Sequence, residues 1–402
     1  MLASEAARQH GTTGSTQDER ARAWRRWTSF LQTMEVQDDP FLVQFEPWIR
    51  TLLICAFAQA MREATFSRRN VNSLAEGTVR TTVDYVAQAF RADNRPDPKV
   101  DDGGRLSCVL QQQYRGYKNL DSNTKQQKAL PLIVLRTLAK NRSTVENLAI
   151  SQLCIGAFFF AMRSCEYLRT NIPEEKRRTK TLCIRNLRFF IKGRQLEYSA
   201  ANLALADTIT ITFEFQKSDE RHESVTMFRS GDPTLCPVRA YAAIVKRILS
   251  YPNTDYATTI NTIYVQGALK TITSTTARNK LRSAARSIGQ AKLGFKPEDI
   301  GTHSIRSGAA MAMYLDEVPT FSIMMIGRWS SDAFLKYIRK QVEQFSHNVS
   351  SRMLRNENFF TTPDFQPTTS RHDTRMPNDP RNFATNNYGG VAARRERFAI
   401  CT

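Results

Sequence analysis

The longest apolar run in the chain, "LCIGAFFFAM" at 153–162, places the tightest limit on what it can fold into. It has no polar face and must be covered on every side, yet it is about half the length that a membrane-spanning helix needs. Such a segment is a buried helix at the centre of a core. Directly after it, in "FFFAMRSCEYL", comes Arg163, whose guanidinium would be held close to that core. Glu166 stands at the i,i+3 position, where it can partner the charge. A satisfied ion pair is the ordinary reading of these two residues.

The rest of the composition says what surrounds that helix. With 402 residues, 41% of them hydrophobic and 10% aromatic, the chain can bury sizeable cores and has the length of about two to three domains. Lys and Arg total 57 against 38 Asp and Glu, a formal net charge of +19, which exceeds what solubility asks for. A polyanionic partner follows, with nucleic acid the first candidate and a membrane surface the second. The opening "MLASEAARQHGTTGSTQDER" lacks the charged-then-apolar layout of an export signal, so cytosol or nucleus is expected. Cys55, Cys108, Cys154, Cys165, Cys183, Cys236 and Cys401 form no C-x-x-C pairs, and His10, His222, His303, His347 and His372 do not cluster with them. No metal site is expected on that spacing, and no phosphate-binding glycine loop or dinucleotide fingerprint appears. Any chemistry would be done by side chains alone, without a small-molecule cofactor.

Along the chain the hydrophobic period changes. Residues 1–18 are polar and rich in Gly, Ser and Thr, and read as a flexible arm. From "RARAWRRWTSFLQTM" through "TVDYVAQAF" to "SCVLQQQYRGYKNL" the apolar residues recur at helical spacing, which predicts an all-helical domain over 19–126 with a linker near 121–130. A second domain over 127–355 starts with helices at 132–140 and about 144–162. "TLCIRNLRFF", "RQLEYSA", "TITITFEFQ" and "ESVTMFRS" then alternate like strands of an antiparallel sheet, and helices resume at "CPVRAYAAIVKRIL" and run to about 355. The fold class is therefore mainly α with a small antiparallel β-sheet. Residues 356–402 turn to Asn, Thr, Pro and Arg and read as a disordered tail.

Three further spots carry polar side chains in suggestive places. "GTHSIRSGAAMAMYL" at 301–315 looks like a helix start with Thr302 as N-cap. His303 and Arg306 share one face there, beside backbone donors that favour a phosphate. Lys217 falls in "FEFQKSDERHE", the turn between two expected strands. "IGRWSSDAFLKYIR" at 326–339 holds Trp329 and Tyr337 around a turn capped by Ser331 or Asp332. Taken singly, these are a capping histidine with a surface arginine, a solvated hairpin lysine and one face of a packed helix.

In the order Arg, Lys, His-x-x-Arg, Trp, Tyr, the set resembles the tyrosine recombinases, also called phage integrases. "HSIRSGAAMAMYLDEVPTFSIMMIGRWSSDAFLKYIR" is similar to the C-terminal active-site block of the Cre-like members, including tryptophan where most relatives carry histidine. "GRWSSDAF", "RGYKN" and "LCPVRAY" are more similar to the recombinases of eukaryotic mobile elements, the Crypton and DIRS-like groups. The resemblance spans roughly residues 20–355. It implies a helical core-binding domain and a mixed α/β catalytic domain closing around duplex DNA, with Arg163, Lys217, His303, Arg306, Trp329 and Tyr337 as the catalytic set and Glu166 orienting Arg163. Lys192 in "FIKGRQ" competes with Lys217 for the lysine role.

The chemistry so implied is cleavage and rejoining of DNA strands. Arg163 and Arg306 would meet the charge that builds on the phosphate oxygens, Trp329 would add an indole donor, and Lys217 would protonate the leaving 5′-oxygen. Tyr337, assisted by His303, would form a phosphotyrosine that conserves the bond energy, so neither ATP nor metal is required. Trp24, Arg25, Arg26, Arg68, Arg69 and Lys118 are candidates for the DNA contact. The helix expected at 339–354, with apolar Val342, Phe345, Val349, Met353 and Leu354, would dock onto a neighbouring protomer, as a tetramer on DNA requires. Residence in the nucleus follows from the mobile-element resemblance, with "EKRRTK" at 175–180 a weak import signal. The competing readings are a catalytically inactive DNA-binding or regulatory descendant of such an enzyme, and a type IB topoisomerase.

Overall fold

The computed structural model describes residues 11–36, 39–66, 72–101, 103–122, 127–215, 222–331 and 334–335. The Ser/Thr-rich start is in part a helix cap: Thr13 Oγ1 accepts the Thr16 amide and the Ser15 and Thr16 hydroxyls close around it. Helix α1 (Gly14–Thr33) therefore begins inside the stretch expected as an arm up to residue 18. It is followed by α2 (Pro47–Arg62), α3 (Glu76–Ala92) and α4 (Cys108–Leu120). Ala23, Trp27, Phe30 and Leu31 form one stripe of α1, and Val79, Val83, Val86 and Phe90 one stripe of α3. Packed together with Phe57 and Leu110, they make a first core rich in aromatic rings. Its centre is Trp27, whose indole N–H donates to Pro40 O at 2.9 Å. Burying one such side chain stabilises by about 1.5–3 kcal/mol.

A second core starts at the expected linker. From Lys128 onward that segment is already pinned: the Lys128 and Leu130 amides donate to Asp299 O and Ser304 O at 3.0 and 2.9 Å. After it come α5 (Leu132–Lys140), α6 (Val145–Phe159) and the single turn α7 (Ser164–Tyr167). An antiparallel sheet follows, made of β1 (Leu187–Ile191), β2 (Arg194–Leu196), β3 (Thr208–Phe213) and β4 (Glu223–Phe228), with the short α8 (Ala200–Leu205) between β2 and β3. The chain closes with α9 (Pro237–Leu249), a hairpin of β5 (Thr262–Val265) and β6 (Ala268–Thr271), α10 (Ser274–Ile288), α11 (Gln290–Leu293), α12 (His303–Leu315) and α13 (Thr320–Gly327). The class is mainly helical with a small antiparallel sheet, as the sequence predicts, and among the described residues no helix is long and apolar enough to cross a membrane.

Helix α6 is the apolar run of the sequence, and α5, α9 and α12 cover it. Gly156 permits the approach of α9, since a Cβ there would meet the Tyr241 ring at 2.5 Å. The helix stops at Phe159 rather than 162. Ala161 turns to φ +43°, the Met162 amide reaches back to Ala157 O and the Ala161 amide to Phe158 O, a Schellman closure with alanine in the place that favours glycine. The sheet runs β2-β1-β3-β4, with β3 paired to β4 from Thr208↔Phe228 to Phe213↔Glu223. The first expected strand is shortened because Asn186 Oδ1 takes the Cys183 amide and holds Ile184–Asn186 in a tight turn. The β5–β6 hairpin lies where only helices were expected. Its turn puts Gln266 and Gly267 both at positive φ, and Gln-Gly is a weaker hairpin signal than Asn-Gly.

Candidate active site

Two helix C-termini meet at one point behind the sheet. The second is that of α13, and it repeats the closure of α6: the Trp329 amide bonds Met324 O, the Arg328 amide bonds Met325 O, and Arg328 sits at φ +56°. Unsatisfied carbonyls at a helix C-terminus attract cations. Arg306, one turn into α12, places its guanidinium between them, with Nη1 donating to Ala161 O and Nη2 to Gly327 O at 2.5 Å. The Trp329 ring lies 4.3 Å beneath its Cζ. That stacking requires Gly327, where a Cβ would fall 1.8 Å from the indole. Arg306 is 2% exposed, so the reading of it as a surface arginine does not hold.

Arg163 stands at the start of α7. Its amide donates to Glu166 Oε2 at 2.8 Å, its Nη1 to Glu166 Oε1 at 3.1 Å and its Nη2 to Arg328 O at 3.4 Å. The expected pair with Glu166 is thus present, and 20% of the Arg163 side chain remains exposed at the rim of the cluster. Glu166 is buried, and its second cation was not anticipated: Arg328 Nη2 donates to Glu166 Oε2 at 2.8 Å. Arg328 Nη1 reaches Phe160 O at 3.2 Å and Ile326 O at 3.3 Å, and its Cζ lies 3.6 Å over the Phe213 ring at the end of β3. Burial lowers the pKa of this guanidinium, Glu166 opposes that shift and Arg163 adds to it. Arg163 and Arg328 share the Glu166 carboxylate, Glu223 adds a further favourable charge to Arg328, and Arg306 lies beside them on backbone carbonyls.

His303 is exposed at the first position of α12. Thr302 precedes it but makes no side-chain cap. Instead Ser304 Oγ accepts the Gly301 amide, because Thr302 has already adopted helical angles. Lys192 is exposed in the β1–β2 turn, at φ +48°, its amide held by Asp207 Oδ2 at 2.8 Å. Tyr337, Lys217, Arg68, Arg69 and the segments 339–354 and 356–402 lie outside the described residues. Among the candidates for DNA contact, Arg25 and Lys118 are exposed and Arg26 is half-buried. Trp24 is different: its ring packs 5.0 Å from Phe41 and 6.2 Å from Phe90 and serves the first core.

No family model matches this sequence, and no curated protein matches it. Several solved structures do resemble it. The Tn1549 transposon integrase in complex with a circular intermediate DNA is 9% identical over 82% of this chain and 99% of that one, with a TM-score of 0.46. A lambda integrase tetramer bound to a Holliday junction is 11% identical over 78% of this chain and 70% of that one, TM-score 0.41. The XerA recombinase is 12% identical over 83% and 98%, TM-score 0.35. At such identities the likeness concerns the backbone, and the chemistry is left to the side chains described above.

Proposed function

We propose that this chain is a site-specific DNA recombinase of the tyrosine type, which cuts and rejoins DNA through a phosphotyrosine on Tyr337 and serves a mobile element. One observation carries the reading: Arg163 and Arg306, from separate elements, are bonded to consecutive carbonyls, Arg328 O and Gly327 O, and so lie side by side. Paired guanidinium forks suit the oxygens of a phosphodiester far better than ammonium groups do. They are already in place before reaction, which is what stabilisation of developing charge demands.

Within this reading His303, at the exposed N-terminus of α12, assists the proton of Tyr337. Topology favours Lys217 as the general acid. The chain leaves β3 at Phe213, in contact with Arg328, and Lys217 follows shortly in sequence, whereas Lys192 belongs to the opposite end of the sheet beside Thr208. A strand of this length separates the two ends by roughly 17–20 Å. Arg25, Arg26 and Lys118, with Arg68 and Arg69 from the sequence, contribute to a DNA surface. Assembly of four copies through 339–354, and residence in the nucleus, belong to the same proposal.

The test is a nicked suicide DNA carrying the ends of the element, incubated with the full chain and resolved on a denaturing gel. A covalent adduct that disappears in Tyr337→Phe is expected. Adduct persisting in that variant would remove the tyrosine from the mechanism, no adduct on cognate DNA would favour a catalytically inactive descendant, and relaxation of any plasmid without site preference would indicate a topoisomerase.

A further inference from the structure

Arg328 belongs to none of the roles assigned so far, yet every element of the cluster touches it or its immediate neighbours. Arg306 and Arg328 form two parallel rungs between the same two helix ends. Arg306 bonds Ala161 O of the first and Gly327 O of the second, and Arg328 bonds Phe160 O of the first and Ile326 O of the second. Its remaining terminal nitrogen holds Glu166 Oε2, leaving Oε1 to face Arg163 Nη1, and its own carbonyl accepts from Arg163 Nη2. The left-handed backbone at Arg328 aims the Gly327 and Arg328 carbonyls at the two other arginines, and that conformation costs a non-glycine residue about 1–2 kcal/mol. The same non-glycine closure ends α1 at Glu35, α2 at Ala64 and α3 at Asn94, so what singles out Arg328 is the set of bonds its side chain makes.

We infer that Arg328 is a positioning residue for the strand-transfer centre: it locks the ends of α6 and α13 together and sets the orientation of Glu166, and through Glu166 and its own carbonyl it fixes the fork of Arg163 beside Arg306. The inference rests on the reading of the site as a DNA-cleaving centre only for its catalytic consequence, while the geometric part stands apart from it. Arg328 contacts no substrate in this arrangement, being wholly buried under the Phe213 ring. A misplacement of about 1 Å in a group that orients a reacting phosphate lowers rates by roughly 10²-fold.

The test uses the full-length chain with R328M, which keeps the unbranched apolar stem and removes the charged fork, and R328K, which keeps the charge. Without DNA, side-chain nitrogen NMR of the arginines reports on Arg163, assigned through Arg163→Lys. The wild type should show restricted rotation of that guanidinium, lost in R328M and weakened in R328K. With DNA, the single-turnover rate constant for adduct formation should fall roughly 10²-fold in R328M and less in R328K, with DNA affinity unchanged. An Arg163 signal identical in all three proteins overturns the inference. So does a loss confined to the amplitude of cleavage at an unaltered rate constant, which is the mark of a partly unfolded population. Should the wild type form no adduct at all, the functional reading falls while the arginine spectra still decide the positioning role; R328K serves if R328M does not fold.

Discussion

The two cores solve the same problem with different materials. Around Trp27 the interior is apolar and aromatic, its buried polar groups include the Trp27 N–H and the hydroxyls of Thr82, Ser107 and Tyr114, and among the described residues no charged residue there is buried. Around α6 the interior also holds Glu166, Arg306 and Arg328, each no more than 3% exposed. Burying ions is unfavourable unless attraction and hydrogen bonds compensate, and even a good buried pair is seldom better than an apolar replacement. The first core is thus organised for stability alone, whereas the second keeps charges that stability does not call for. The carbonyls left over at two converging helix ends take up the guanidinium groups.

This contrast can be broken most directly by removing one group from each side. Glu166→Ala leaves Arg328 buried without its carboxylate and should destabilise the fold by about 3–5 kcal/mol in denaturant unfolding. Trp27→Ala should lose a similar amount, about 3–5 kcal/mol, through the cavity left behind. The difference appears in chemistry: among folded molecules the rate constant for adduct formation should collapse for Glu166→Ala and stay at the wild-type value for Trp27→Ala. Equal rate constants would erase the distinction between the cores.

A smaller effect tests how tightly the linker end belongs to the second core. A Cβ at Gly308 would meet Leu130 O at 2.4 Å, so Gly308→Ala should cost about 1–3 kcal/mol, seen as a lowered Tm. An unchanged Tm would mean that residues 128–130 pack loosely. Alkaline titration comes next. Burial pushes the Cys55 thiol of the first core up to about 11 and the Cys154 thiol of the second up to about 12, from 9.0. Because the folded state retains these protons longer, their contribution is complete below pH 9 and is lost as pH rises toward the raised values. Each should add a slope of about 1.4 kcal/mol per pH unit in its window. Cys154→Ala should flatten stability over the wider range, and Cys55→Ala over the narrower one. The smallest effect concerns exposed charge: Arg25→Ala or Lys118→Ala should each reduce the salt dependence of DNA binding by about 0.9 log unit per log of salt, and an unaltered slope would remove that residue from the DNA surface.

Much of this arrangement was legible in advance, and the boundary is instructive. The all-apolar run at 153–162 announced the central helix, and Arg163 with Glu166 announced an ion pair, because both signals are local in sequence. Period-2 alternation located β3 and β4 for the same reason. The packing of Trp24 is not readable locally, because an aromatic among arginines on α1 looks exposed until Phe41 and Phe90 arrive from elsewhere. The hairpin at 262–271 escaped because its strands are short and its turn carries glutamine where asparagine would have been informative. Arg328 was unreadable inside "GRW": nothing nearby marks it as buried, and its partners Phe160, Glu166 and Phe213 all come from far along the chain.

Periodicity and composition were enough to specify a mainly helical chain with a small sheet, a strongly basic character and the side chains able to handle a phosphate, since these depend on residue order alone. Which of those side chains meet, which one is stacked on Trp329, and which arginine is sealed in the interior depended on two helix ends converging. That convergence is a matter of packing between distant segments, where carbonyls left over at a helix C-terminus acquire partners that no local spacing can name.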